Sequence, residues 1–183
     1  MADGIAAILV VVVAAICFSL LVFQAFTGVP SVSATVSESA DIVALLREAN
    51  IASDATIYEL GCGWGKLVAA LAEAFPQARI IGVEISPFPY WVARWRARRF
   101  PNVSLRRGNL FNCDLRDADA VTSYLMAKPT QKLAEFLDKN LEAGTPVVAL
   151  SFWFRNRVVS AVREGRGFRG AAALYYWPAR KTN

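Results

Sequence analysis

The chain has 183 residues, 55% of them hydrophobic and 19% charged, with a formal net charge of +5 and no histidine. This excludes a disordered solvating chain, which needs low hydrophobicity and a large charge excess, and it excludes Ser-His-Asp and Cys-His catalysis outright. A mean hydropathy of +0.35, with fewer charges than the roughly 25% usual for soluble domains, places part of the apolar content outside a water-facing fold.

That apolar excess opens the chain. From Ile5 to Phe23 there are 19 residues without a charge, or about 28 Å of helix, close to the ~30 Å hydrocarbon core of a bilayer. Residues 1–26 are expected to form one transmembrane anchor. A cleaved signal peptide is the alternative, with Val32-Ser33-Ala34 as its small-residue site. The absence of Lys or Arg from Met1-Ala2-Asp3-Gly4 and the length of the run favour the anchor. No Lys or Arg precedes Arg47, so flanking charge does not orient the segment. Residues 27–40 read as a Ser/Thr-rich tether broken by Gly28 and Pro30. Residues 41–183 are one domain's worth of chain.

Ile42, Val43, Leu45, Leu46 and Ala49 recur at helical spacing. Thr56–Leu60 is a first strand, broken by Gly61-Cys62-Gly63-Trp64-Gly65, and a helical stripe from Leu67 to Phe75 ends at Pro76. Arg79–Ile85 is a second strand. Ser86 caps the next helix, with Pro87 at its first position and Trp91, Val92 and Trp95 as its apolar face. Val103–Leu105 and Ala120–Leu125 are the third and fourth strands, and a helix follows over Lys132–Leu141. Val147–Leu150, leading into Phe152-Trp153-Phe154, is a fifth strand. Val158–Val162 and Ala172–Trp177, around the Gly165–Gly170 turn, predict a closing antiparallel hairpin. Alternating strands and helices imply an α/β fold, a Rossmann-like doubly wound, mostly parallel sheet.

Glycines at 61, 63 and 65 stand where the first strand turns into a helix, and Glu84 ends the second strand 19 residues after Gly65. In doubly wound sheets this pairing lets a ligand approach the backbone while the acid bonds a ribose hydroxyl. A dinucleotide site prefers G-x-G-x-x-G. Here the third glycine comes one residue early and Glu59 precedes the turn. A carboxylate there repels a pyrophosphate and attracts an ammonium or a sulfonium. The charge logic therefore favours S-adenosylmethionine (SAM) over NAD.

Glu59-Leu60-Gly61-Cys62-Gly63-Trp64-Gly65 resembles motif I of class I SAM-dependent methyltransferases, and Ala78–Ser86 resembles their second motif. The resemblance covers about residues 40–180. It implies a seven-stranded sheet and a cofactor site of Glu59, Gly61, Cys62, Gly63, Gly65, Glu84, Ile85, Asn109 and Leu110. Glu59 would lie near the methionine amine, Glu84 on the ribose, and Asn109-Leu110 where the family usually places Asp against adenine. The apolar amino terminus, Pro87-Phe88-Pro89-Tyr90-Trp91 and Phe152-Trp153-Phe154 are similar to a narrower group. These are the small membrane-linked protein-lysine methyltransferases of adenine nucleotide translocase and the ATP synthase c-subunit, with their prokaryotic relatives. In that group the fourth strand is followed closely by Pro, whereas here Pro129 comes later. The Asn-Pro-Pro-Tyr signature of nucleobase amino methylation is absent.

The expected activity is methyl transfer to an amine, with a protein lysine as the favoured acceptor and a membrane protein among the candidate substrates. A lipid or hydrophobic small molecule, or a non-catalytic membrane scaffold, are the alternatives. Tyr124 is the candidate to orient the amine, with Phe152 or Trp153 as walls. Cys17, Cys62 and Cys113 share no metal-ligand spacing, so no metal is expected. Arg94, Arg96, Arg98 and Arg99, then Arg106 and Arg107, form the densest basic region. They are either a solvated surface or, through Arg94 and Arg98, a contact with anionic lipid worth about 1 kcal/mol per group. No base-reading module accompanies them, so nucleic acid is not an expected partner. SAM is made in the cytosol, which places the catalytic domain of a single-pass protein on the cytoplasmic side.

Overall fold

The computed structural model describes residues 2–27, 33–125, 127–165 and 170–178. The chain begins with α1 (Ala2–Thr27), a helix on which Ile5, Ile8, Leu9, Val10–Val13, Phe18 and Leu21 are exposed. Among the described residues no helix is long and apolar enough to cross a membrane. The expected transmembrane segment is thus met as a helix and not as a span.

The stretch read as a tether is shorter than expected, because α2 (Val36–Glu48) starts inside it. A capping box explains the early start: the Thr35 hydroxyl accepts from the Glu38 N–H at 3.2 Å, and Glu38 Oε2 accepts from the Thr35 N–H at 2.7 Å. Glu38 Oε1 also accepts from the Gly170 N–H at 2.9 Å, tying this helix start to the far end of the chain. Gly28, Pro30 and Val32, from the tether and cleavage-site readings, lie outside the described residues.

The remaining elements are β1 (Thr56–Leu60), α3 (Lys66–Ala74), β2 (Arg79–Glu84), α4 (Pro87–Ala97), β3 (Val103–Arg107), β4 (Ala120–Ser123), α5 (Ala127–Asn140), β5 (Thr145–Leu150), β6 (Ala161–Arg163) and β7 (Ala172–Trp177). They build one seven-stranded sheet in the order β3-β2-β1-β4-β5-β7-β6. The strands from β3 to β5 are parallel, and β7 runs antiparallel to both β5 and β6. The expected Rossmann-like mixed sheet and its antiparallel close are both present. Strands β1, β4 and β5 are buried at every residue, as parallel strands covered on both faces must be. Alternation still sorts their side chains. Ile57, Ile80, Val148 and Leu174 meet α2 and α3, with α4 beside α3, whereas Tyr58, Ile81, Val147 and Tyr175 meet Leu133 and Leu137 of α5.

Four further expectations change. Helix α5 begins five residues earlier than its apolar stripe, and β5 stops at Leu150. Ser151 adopts φ 63° there, and the chain leaves the sheet, so Phe152-Trp153-Phe154 is not strand. The hairpin's first strand begins at Ala161, not Val158; residues 166–169 of its turn lie outside the described residues. Trp91 and Trp95 do not face the core. They are 56% and 62% exposed, and Pro89, Tyr90, Ala93 and Ala97 are the buried side of α4. The helix lies so close to the glycine loop that only small residues fit beneath it.

Candidate functional site

Strand order reverses between β1 and β4, and in doubly wound sheets ligands bind beyond the carboxyl ends of the strands at such a switch point. The loop after β1 is held to β2 by its own backbone. Gly61 N–H and Cys62 N–H both donate to the Val83 carbonyl at 2.9 Å, and Gly65 N–H donates to the Cys62 carbonyl at 2.9 Å. Gly61 and Gly65 have φ values of 82° and 73°, the left-handed region that favours glycine. Both also sit under close neighbours. A Cβ on Gly65 would stand 2.7 Å from Ala93 Cβ and 2.9 Å from Ala93 Cα, and one on Gly61 would stand 2.7 Å from Leu125 Cδ2. The loop is therefore gripped by α4 on one side and by the segment leaving β4 on the other.

Glu84 closes the loop from beneath. Its Oε2 accepts from the Gly63 N–H at 2.8 Å and its Oε1 from the Ser86 N–H at 2.7 Å. The carboxylate is a structural clamp as well as a candidate ribose ligand, and each oxygen keeps lone-pair capacity for a ligand hydroxyl. Ile85 beside it is exposed. Cys62 is buried, and burial, followed by the nearby charges of Glu84 and Glu59, pushes its thiol well above the ordinary value. Cys62 is thus a packing residue of the loop with no nucleophilic character.

Glu59 is 2% exposed. Burial pushes its carboxyl up to about 8, opposed by the hydroxyl of Thr122, which donates to Oε2. Thr122 is the register partner of Glu59 across the β1–β4 pair. A buried carboxyl supported by one hydroxyl is an incomplete ion pair, and a cationic ligand group completes it. With glycine backbone beside it, the site fits a ligand carrying an ammonium and a sulfonium.

Asn109 is exposed after β3, and its Oδ1 accepts from the Phe111 N–H at 3.0 Å, capping a short 3-10 turn over Leu110–Asn112. Leu110 is half-buried against the α5 face. Tyr124, half-buried, leaves β4 at the same edge, and its neighbour Leu125 is the residue over Gly61. The candidate walls separate. Trp153 donates its indole N–H to the Ala171 carbonyl at 3.1 Å and Phe152 is half-buried, whereas Phe154 is core, edge-on to Tyr175 and Trp177.

Two contributors escape the sequence reading. Thr122 becomes visible only through strand register. Gly82 is the other: its Cβ would meet Leu105 Cδ2 at 2.5 Å and Cys62 Sγ at 3.1 Å. A glycine inside a strand was the available signal of such a close approach.

The family profile described as the ANTKMT methyltransferase domain matches residues 59–160. A protein-lysine N-methyltransferase of Saccharolobus islandicus is 31% identical over 114 residues, 61% of this chain and 71% of that protein. A trans-aconitate 2-methyltransferase of Deinococcus radiodurans is 34% identical over 70 residues, 38% of this chain and 25% of that protein. Among solved structures, the RNA methyltransferase from Salinibacter ruber in complex with S-adenosyl-L-homocysteine superposes with a TM-score of 0.71 at 28% identity, over 79% of this chain and 93% of that one.

Proposed function

This chain belongs to the ANTKMT methyltransferase-domain family and is a class I SAM-dependent methyltransferase, and on that premise we propose that it methylates the side-chain amine of a protein lysine. The observation that carries the donor half is the buried Glu59 carboxyl beside the Gly61–Gly65 loop, a site built for a cationic ligand. Lysine as the acceptor is supported by the likeness to the Saccharolobus protein-lysine methyltransferase.

When bound, SAM supplies a methyl group on a sulfonium, and its transfer is an in-line displacement governed by alignment. In this reading Glu59 faces the ammonium of the donor, and Gly61, Cys62, Gly63 and Gly65 line its path. Glu84 accepts from the ribose, Ile85 flanks it, and Asn109 and Leu110 meet the adenine. A lysine acceptor must first lose its proton. With a reference pKa near 10.4, the neutral amine at pH 7 costs about 4.6 kcal/mol, and a desolvated channel lowers that cost. The chain has no histidine to act as base. Tyr124 instead positions the neutral amine through its hydroxyl, which has no hydrogen-bond partner among the described residues.

We further propose that α1 anchors the enzyme to a membrane, with the catalytic domain on the cytoplasmic side. Among the described residues nine large apolar side chains of α1 are exposed; at roughly 1.5–3 kcal/mol each on full burial, lipid contact would stabilise this helix by more than 10 kcal/mol.

The test supplies tritiated SAM to the full chain with membrane proteins, a lipid extract or RNA as acceptor. Label in protein, mapped by mass spectrometry to methyl-lysine, is the expected result. Label confined to lipid or to RNA would overturn lysine as the acceptor.

A further inference from the structure

We propose that the outer face of α4 rests on the surface of an anionic bilayer and sets the catalytic domain against the membrane. Trp91, Arg94, Trp95 and Arg98 recur at helical spacing, and all four are exposed. Arg94 stacks over the Trp91 ring at 5.4 Å and Arg98 over the Trp95 ring at 4.6 Å. Neither guanidinium has a carboxylate partner among the described residues. A core helix buries its tryptophans, and a solvated one seldom carries two.

Charge points to the same partner. Between Glu84 and Asp114 there is no acidic residue, and six arginines stand in that interval. The adjoining groove between α2, α3 and α4, about 830 Å³, is rimmed by Arg47, Lys66, Arg96 and Arg99, with Glu73 as its one acid, and that acid is already bonded to Arg99 at 2.9 Å. Tryptophan with arginine is the chemistry of the membrane–water interface: the ring sits at headgroup depth and the guanidinium meets phosphate. Position agrees with chemistry, because α1, with its exposed apolar side chains, touches α4. Where α1 enters lipid, α4 is carried to the surface beside it. A nucleic-acid strand would also meet the arginines, but it gives no reason for the tryptophans to adjoin an apolar helix.

This rests on the anchoring of α1 proposed above, and the experiment separates the two. Full-length protein is reconstituted with vesicles containing shallow brominated phosphatidylcholine, with and without phosphatidylglycerol. Flotation reports α1, and quenching of tryptophan emission reports α4. Trp91 and Trp95 are two of five tryptophans, so up to about two-fifths of the emission is expected to be quenched on anionic vesicles. The quenching should vanish in Trp91→Phe/Trp95→Phe. In Arg94→Gln/Arg98→Gln, and at about 0.5 M salt, where the Debye length falls to roughly 4 Å, its dependence on anionic lipid should disappear while flotation persists. Unchanged S-adenosylhomocysteine binding shows that the variants are folded. Flotation with quenching that ignores these substitutions, or RNA binding that displaces the face from anionic vesicles, would overturn the α4 contact and leave the anchor standing. Failure to float would remove both.

Discussion

The proposed donor and acceptor sides of this enzyme share one edge of one sheet and are built in different ways. Most of the donor side lies within one stretch, from β1 through the start of α4, with Asn109 and Leu110 added after β3. Its parts are joined by hydrogen bonds inside that stretch: the Gly61 and Cys62 N–H groups donate to the Val83 carbonyl, and those of Gly63 and Ser86 to the Glu84 carboxylate. The proposed acceptor side is gathered from distant segments, Tyr124 after β4 and Phe152 and Trp153 after β5, with the Trp153 indole bonded to Ala171 ahead of β7. A common donor can be served by a local device. A particular acceptor needs walls that only long-range topology brings together.

The largest effect should come from Gly65→Ala. The new Cβ meets Ala93 backbone at a φ of 73°, so strain and overpacking together should cost about 2–5 kcal/mol by urea unfolding, and donor binding should be lost. Gly61→Ala, which meets only the end of the Leu125 side chain, should cost distinctly less. Equal losses would mean that α4 does not grip the loop.

Glu84→Ala removes two buried charge-assisted bonds. Calorimetry should show donor affinity falling about a hundredfold, the equivalent of roughly 2.8 kcal/mol. A loss under tenfold would make Glu84 a bystander to the ligand.

The Glu59 carboxyl is raised from its ordinary 4.5 to about 8. The folded protein without donor therefore holds a proton that the unfolded chain releases above about pH 4.5. Its stabilising effect is complete below that pH and is lost as pH rises toward 8. Donor affinity should move the opposite way, increasing toward pH 8 as the carboxylate forms. Melting temperatures and dissociation constants from pH 5 to 8 check both signs, and Glu59→Gln should flatten both profiles.

The acceptor side should respond differently. Tyr124→Phe should lower kcat about tenfold, the equivalent of one hydrogen bond of roughly 1.4 kcal/mol, with the donor dissociation constant unchanged. A shift in donor affinity instead would move Tyr124 to the donor side. Smallest of all, Thr122→Val should destabilise the fold by about 1 kcal/mol and push the Glu59 carboxyl higher, because its one hydroxyl partner is gone.

The alternation of strands and helices and the donor chemistry were legible in the sequence for one reason: both depend on residues close along the chain. Glycines at 61, 63 and 65 after a β-rich run, with Glu84 at the end of the next, specify a turn and a carboxylate whose partners lie at most 21 residues away. Periodicity likewise predicted seven strands and the antiparallel close, because burial on a sheet repeats within a few residues. It failed at ends and on faces. Helix α2 starts early because Thr35 and Glu38 cap each other. The β5 strand ends at Leu150 because Ser151 turns out of the sheet. Trp91 and Trp95 face outward because Ala93 and Ala97 must lie on the inner side, with Ala93 against Gly65. The Thr122–Glu59 bond joins residues 63 positions apart and exists only once β1 and β4 are in register. A hydrophobic pattern records that a side chain is apolar; which neighbour covers it, or whether lipid does, is decided by packing at a distance that the pattern does not encode.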